Sequence, residues 1–369
     1  MNKIIDPIYG EIIFEENELW VHEIIHTTVF QRLQNIKQLG LCYKTFIGAL
    51  QTRFAHSIGT YYLAKKLLQR KEINKTLTLN QINTIKAAAL LHDIGHGPHS
   101  HGFEWYLKEL NYKFFEHEDY SEKIINNKQF PIYKILIKNN INPKDVSSLI
   151  HAKNPEKFPK WTSHIISGQI DIDRLDYLLR DQYFCLGSMN NHRNIYQIIE
   201  KIKVDKGNQV FYFEKEDIRL VEDFLYTRYV MYKELYISKD VNNWYFIIIK
   251  ILQIAKKLYL NNHQFIDKYH LLNEFSFMFS NKNIELKNYV KLTDINFDLF
   301  IYSLQFESKE IKKLYDIFAR SDHSLIKNYD ALKEIIFYDF NKPIFIKNEQ
   351  THKLIPYDKI TDVYKIFLK

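Results

Sequence analysis

The chain is poor in the residues that staple or punctuate small folds. Among 369 residues there are two cysteines, Cys42 and Cys185, in no Cys-x-x-Cys spacing, which excludes a disulfide framework and a zinc-finger module. A reducing compartment is therefore expected. Only ten glycines and eight prolines occur, so long uninterrupted elements are favoured over a turn-rich β architecture. Long apolar runs are also missing. The oiliest stretch, Trp244 to Leu252, is broken by Lys250 and is too short to cross a bilayer. The segment MNKIIDPIYGE places Asp6, Pro7 and Glu11 ahead of any apolar run, which argues against a signal peptide. These features lead to the expectation of a cytoplasmic protein with no membrane partner. Charge of one sign is not dominant either: 51 Lys+Arg against 44 Asp+Glu leave a formal +7, compatible with phosphate-bearing partners and far from an arginine-rich nucleic-acid composition.

What the sequence does have is 46% hydrophobic residues, enough for a sizeable core, arranged mostly at three- and four-residue spacing. The expected class is mainly α, with one or two short β-hairpins. Helices are predicted over 58–68, 82–91, 118–126, 172–182, 217–236 and 242–258, and from Leu33 to a glycine stop at Gly40. Strand pairs are predicted at Ile8 to Phe14 around Gly10, and at Ile202 to Phe213 around Lys206-Gly207-Asn208. No repeat or linker is evident. The motifs described next end before about residue 240, which suggests a domain over 1–240 and a helical extension over 241–369 packed on the same core.

The segment Ala87 to Glu104 carries most of the chemistry. An alanine- and leucine-rich helix runs into His92-Asp93 and is broken at once by Gly95, Gly97 and Pro98, a place open to ligand. Of the fifteen histidines, His92, His96, His99 and His101 fall in one ten-residue window, where random placement would supply about 0.4. By itself such a cluster could be a solvated polar loop. Imidazole beside carboxylate suits a divalent transition metal such as Mn, Fe, Ni or Zn, whereas carboxylates alone point to Mg or Ca. Further ligands are on offer at His56, which opens one predicted helix, and in Asp171 to Asp181, which opens another. In that segment Asp173, Asp176, Tyr177, Arg180 and Asp181 share one helix face and Ile172, Leu175, Leu178 and Leu179 lie nearer the opposite one. A surface helix laced by Asp/Arg pairs would look the same.

Read together, the motifs form an ordered set. Arg53-Phe54-x-His56-Ser57-Ile58-Gly59, His92-Asp93-Ile94-Gly95-His96-Gly97-Pro98-x-Ser100-His101, His117-Glu118, and Asp171-Ile172-Asp173-Arg174-x-Asp176-Tyr177-x-x-Arg180-Asp181 follow one another. The set resembles the HD-domain metal-dependent phosphohydrolases, in the branch of deoxynucleoside triphosphate triphosphohydrolases. Asp6-Pro7-Ile8-x-Gly10 and Gln31 to Gly40 add to a likeness that spans about residues 4 to 240. The resemblance implies a divalent metal ion of unspecified identity, Mg included, held by His56, His92, Asp93 and Asp173. It places His96, His101 and His117 on the phosphates or on the leaving oxygen, with Glu104, where relatives have aspartate, orienting a catalytic histidine. It also puts Gln38 and Asp181 at the sugar 3′-hydroxyl, Leu39, Tyr177 and Tyr236 around the sugar, and Arg53, Arg174 and Arg228 on the triphosphate. Tyr236 and Arg228 also lie on what reads as an ordinary helical stripe. Animal relatives bind a guanine-nucleotide activator through an acidic residue and an arginine; His26 and Gln34 stand at those positions, and such activation is not expected here.

The implied reaction is hydrolysis of a dNTP to deoxynucleoside and triphosphate through attack on the α-phosphorus. Two other readings compete with it. One is an HD phosphohydrolase acting on a monophosphate, cyclic dinucleotide or alarmone, and the other a non-catalytic nucleic-acid-binding regulator. A purely structural module would leave the clustered histidines unexplained. Self-association into a dimer or tetramer is expected from the many Tyr- and Phe-rich helices.

Overall fold

The computed structural model of the protein describes residues 3–113, 115–187, 192–207, 209–280, 282–321, 344–347, 351 and 353–359. The expectation of a mainly α chain is met. An amino-terminal hairpin, β1 (Lys3–Asp6) and β2 (Gly10–Ile13), precedes the helices that carry the site and its supports. These are α1 (Arg53–Leu68), α2 (Leu79–Leu91), α3 (His101–Glu109), α4 (His117–Asn126), α5 (Ile172–Asp181), α6 (Ile218–Met231), α7 (Lys239–Leu260) and α8 (Asp294–Leu304).

Local chemistry explains the starts of the two helices at the centre. Thr52 caps α1 by accepting from the Ala55 amide at 3.3 Å. Thr78 and Gln81 form a reciprocal capping box on α2. Along α2 the run Ala87 to Leu91 is wholly buried, and its small residues let α1 approach until Thr60 Oγ1 donates to Ala89 O at 2.8 Å. Two apolar clusters fill the interior. One gathers residues such as Trp20, Phe30, Leu63, Leu90, Trp161 and Leu179; the other joins Phe103 and Tyr106 to Trp244, Phe275, Phe297 and Phe300. Each buried Leu, Ile or Phe contributes about 1.5–3 kcal/mol relative to exposure. Leu39 packs against both clusters.

Several elements depart from what periodicity suggests. The first strand pair lies earlier than Ile8 to Phe14, because Asp6 Oδ1 accepts the amides of Ile8 at 2.8 Å and Tyr9 at 3.1 Å and folds that stretch into the turn. Residues Leu33 to Gly40 do not make one helix. A 3-10 turn, Arg32–Asn35, stops at Ile36, which is extended; Arg53 N then donates to Ile36 O at 2.9 Å and Gln38 N to Gln51 O at 2.9 Å, so pairing with the start of α1 takes the segment out of the helix. Gly40 is not the stop of a helix but the first residue of a 3-10 turn, Gly40–Lys44, at φ +49°, and a Cβ there would meet His99 O at 2.5 Å. The Asp171 to Asp181 helix is not a surface helix: Asp176 and Arg180 are completely buried.

The second hairpin, β3 (Lys203–Asp205) and β4 (Val210–Glu214), occurs where alternation placed it, with Asn208 of its turn outside the described residues. It is extended into a four-stranded sheet of order β3-β4-β5-β6 by β5 (Phe345–Lys347), parallel to β4, and β6 (Leu354–Pro356). Much of the stretch between 322 and 369 lies outside the described residues. Among the described residues no helix is long and apolar enough to cross a membrane.

Candidate metal centre and cavity

The start of α1, the end of α2 and the start of α5 converge on one point. His56 Nε2 lies 3.0 Å from Asp173 Oδ1, 3.2 Å from His92 Nε2 and 3.4 Å from Asp93 Oδ2. His92 Nε2 lies 3.3 Å from Asp93 Oδ1 and 3.6 Å from Asp173 Oδ1. The tautomers follow from the other ring nitrogens. His56 Nδ1 is 2.7 Å from the Asp176 carboxylate, and His92 Nδ1 is 2.9 Å from Ala89 O, a pure acceptor. Each neutral ring therefore donates through Nδ1 and aims a lone pair at the other from Nε2, beside two carboxylates. Four electron-pair donors with no proton between them call for a cation. Without one, protons do the work: burial alone would lower the His56 pKa, but the Asp173 and Asp176 carboxylates outweigh it and raise it to about 10. His56, His92 and Asp93 form a group that could hold a metal ion, with Asp173 at its rim.

A second constellation adjoins the first. His96 and His117 stack with ring centres 3.8 Å apart at 14°, and His101 stands edge-on to both, 4.9 Å from His96 and 5.2 Å from His117. Glu104 Oε1 is 2.6 Å from His117 Nδ1, and Oε2 is 3.5 Å from His101 Nδ1. Burial together with the charges of Arg53 and His117 pushes the His96 pKa well down, which keeps that ring neutral. Burial would also lower His117, but Glu104 prevails and raises it, while Glu104, despite burial, is held well below the usual carboxylate range by the two histidines. Two stacked imidazoles are thus pushed in opposite directions, His96 toward the neutral and His117 toward the protonated form. His96 Nε2 is 3.3 Å from Asp93 Oδ1, so the two constellations share one carboxylate.

Both open onto a cavity of about 520 Å³. Its walls include Gln38, Leu39, Arg174, Tyr177, Asp181 and Tyr236. Gln38 Oε1 is buried and unpartnered there. Arg53 also lines the cavity, but its guanidinium is engaged by Asp93 Oδ2 at 2.6 Å, Ser100 Oγ at 2.9 Å and Gln38 O at 3.4 Å. Arg174 is tied to Asp171 and to Gly168 O. Arg228 stands outside the lining, with Nη1 on Gln169 Oε1 at 3.0 Å. His26 and Gln34 lie on the surface, His26 Nδ1 at 2.8 Å from His22 O and Gln34 on Gln31.

Some residues that shape the cavity carry no sequence signal. Gln51 Nε2 donates to Asp181 Oδ1 at 2.7 Å, opposite Tyr236 OH, which donates to Oδ2 at 2.7 Å. From α8, Asp294 accepts the amides of His99 at 2.7 Å and Lys37 at 2.9 Å, and Asp298 Oδ1 lies 2.8 Å from His99 Nε2. These contacts hold His99 and Ser100, two consecutive non-glycine residues at φ 58°, in a strained turn between His96 and His101 of the second constellation.

A sequence model of the HD domain matches residues 53–181, from the first residue of α1 to the last of α5. The chain belongs to the HD-domain family. Its relatives include the uncharacterized protein MG461 homolog of Mycoplasma pneumoniae, 36% identical over 355 residues that cover 91% of this chain and 81% of that one. They also include the deoxynucleoside triphosphate triphosphohydrolase SAMHD1 homolog of Dictyostelium discoideum, 28% identical over 412 residues, covering 100% of this chain and 77% of that one. Among solved structures, a phosphohydrolase from Bacteroides thetaiotaomicron shares the fold with a TM-score of 0.79 at 23% identity, over 100% of this chain and 96% of that one. The HD domain thus begins and ends on the two helices that face each other across the metal-binding group.

One consequence concerns Asp181 at the edge of the HD domain. Burial pushes its carboxyl up to about 6, only partly offset by Tyr236 and Gln51. Its folded pKa therefore exceeds the unfolded value of about 3.9, so the native state holds the proton more tightly, and stability falls as pH rises from about 4 to 6. Asp181→Asn is expected to raise stability by about 2–3 kcal/mol at pH 7.5, an advantage that vanishes near pH 4. Thermal melts of both proteins across that range check the sign.

Proposed function

We propose that the protein is a metal-dependent phosphohydrolase that cleaves deoxynucleoside triphosphates to deoxynucleoside and triphosphate. The observation that carries this reading is the shared Asp93 carboxylate, which joins a cation-demanding donor set to the stacked His96 and His117 rings at one wall of a nucleotide-sized cavity. The name of the Dictyostelium relative supports the choice of substrate. His56, His92, Asp93 and Asp173 would hold the ion, and their imidazole and carboxylate donors suit a divalent transition metal. Such an ion supplies Lewis-acid polarisation of a phosphoryl oxygen and lowers the pKa of a water.

The chain's own residues do the rest. His117, whose protonated form Glu104 favours, faces the phosphates beside His96, and His101 completes the wall. Water oxygen bonds to the α-phosphorus and releases a proton to solvent, the bond from phosphorus to the sugar 5′-oxygen breaks, and that oxygen takes a proton from a histidine of this group. Arg174 adds a fixed cation to the triphosphate end. At the other end Gln38 and Asp181 hold the 3′-hydroxyl, while Leu39, Tyr177 and Tyr236 crowd the 2′ position. Arg53 acts on the triphosphate through Asp93 and Ser100 rather than as a free fork, and Arg228 supports the wall from behind. Ile47, Leu50 and Leu186 are exposed apolar side chains available for self-association into a dimer or tetramer.

The test is incubation with each dNTP and NTP in the presence of Mn or Mg, with products separated by ion exchange. Deoxynucleoside and intact triphosphate, abolished in a His92→Ala Asp93→Ala protein, is the expected result. Cleavage of a monophosphate, cyclic dinucleotide or alarmone instead would overturn the substrate. Nucleic-acid binding that falls steeply with salt and ignores chelator, with no cleavage, would overturn the activity.

A further inference from the structure

Behind His56, on the side away from the cavity, a row of buried ions runs outward to β1. His56 Nδ1 donates to Asp176 Oδ2 at 2.7 Å. The same carboxylate receives the Arg180 fork, Nε on Oδ2 at 2.9 Å and Nη2 on Oδ1 at 2.9 Å. Arg180 Nη1 then reaches Asp6 Oδ2 at 2.9 Å, at the last residue of β1. Asp176 and Arg180 are 0% exposed and Asp6 5%. Gly59, one turn after His56, makes room for the row: a Cβ there would lie 1.9 Å from Asp176 Oδ1 and 2.5 Å from Arg180 Nη2. The Tyr9 ring lies beneath the guanidinium at 5.8 Å.

Buried ion groups are a poor means of holding a hairpin to a helix, since apolar packing does so as well or better. Their arrangement does something that apolar side chains cannot. Asp176 fixes the tautomer and plane of His56 and makes its Nε2 a stronger donor. Arg180, bidentate on Asp176, fixes the plane of that carboxylate in turn. Left alone, however, the guanidinium would neutralise Asp176 and weaken its hold on the imidazole. Asp6 shares the guanidinium, so the row of two carboxylates and one cation keeps a net negative charge behind the ring.

We propose that Asp6, Arg180 and Asp176 are positioning residues for the metal-binding nitrogen of His56, so that the amino-terminal hairpin, which contributes no side chain to the cavity lining, sets the affinity of the metal centre. This inference rests on the metal assignment proposed above. The hairpin is thereby an outer part of the metal site and more than a cap on the core.

The experiment is a chelator-competition titration of Mn or Zn into the purified full chain and its variants. Asp6→Asn keeps an oxygen for the Ile8 and Tyr9 amides but turns an amide toward Arg180. Ile12→Val, at a fully buried hairpin residue outside the row, is the control for loosening the hairpin. Asp176→Asn is expected to weaken metal affinity about 10–100-fold, and Asp6→Asn about threefold or more. Both should also shift the visible absorption of the cobalt-loaded protein, while Ile12→Val lowers the melting temperature at parental affinity. Parental affinity and spectrum in Asp6→Asn, or an equal loss in Ile12→Val, would overturn the proposal and leave the metal centre standing. A parent chain that binds no metal would overturn both.

Discussion

Asp93→Asn is expected to abolish turnover and metal binding while leaving most of the fold in place. The carboxylate is the one group shared by every part of the site. Oδ1 lies 3.3 Å from both His92 Nε2 and His96 Nε2, while Oδ2 lies 3.4 Å from His56 Nε2 and 2.6 Å from the Arg53 guanidinium. Asparagine preserves the volume and removes the charge. The loss in metal affinity should exceed the roughly 100-fold attached to outer hydrogen-bonding partners, because a direct donor is removed. Arg53 would then be buried without its counter-charge, a destabilisation of about 3–5 kcal/mol. Metal content after dialysis, product formation and a thermal melt check the three effects separately. Full turnover in this variant would sink the assignment of the centre.

Asp294→Ala tests a different part of the machinery. Its carboxylate, 1% exposed, ties the amide of Lys37, beside Gln38, to the amide of His99, beside Ser100. Truncation orphans the buried His99 N–H, at about 1–3 kcal/mol, and the half-buried Lys37 N–H. It also frees the His99-Ser100 turn, whose left-handed backbone persists only while its surroundings enforce it. His96 and His101 flank that turn, and a shift of about 1 Å in such groups can cost about 10²-fold in rate. Turnover should fall by that order while metal affinity stays at the parental value, since none of the four proposed ligands touches Asp294. Asp294→Asn, which retains one acceptor, should recover part of the rate. Equal loss of metal binding in Asp294→Ala would mean that the turn does not act separately from the metal centre.

How much of this was legible in the sequence depends on distance along the chain. The His92 to His101 cluster and the Asp173 to Asp181 face are local patterns, and helical periodicity placed their side chains on one side of each element. Burial was the part that local pattern could not convey. The ionic face of α5 reads like a solvated surface, and only the absence of a side chain at Gly59, more than a hundred residues away, lets Asp176 and Arg180 enter the interior. Likewise nothing around Leu33 to Gly40 announces that Ile36 and Gln38 will pair with Gln51 and Arg53 and so break the expected helix. Asp294 lies on α8 as an unremarkable first-turn carboxylate, and its partners are 195 and 257 residues upstream. Gln51 has no motif at all; its role comes from the Asp181 carboxylate it meets 130 residues away in the chain.

The reach of α8 back to Lys37 and His99 also orders events in time. A protein made from its amino terminus onward has the HD segment in hand by residue 181, yet the turn between His96 and His101 lacks its clamp until residues 294 and 298 have been synthesised. The parallel pairing of β4 with β5 comes later still, joining residues 212–214 to 345–347. Contacts of such long sequence separation are slow to form. The clamp on the His99-Ser100 turn is therefore a late contact, made only after α8 has been synthesised.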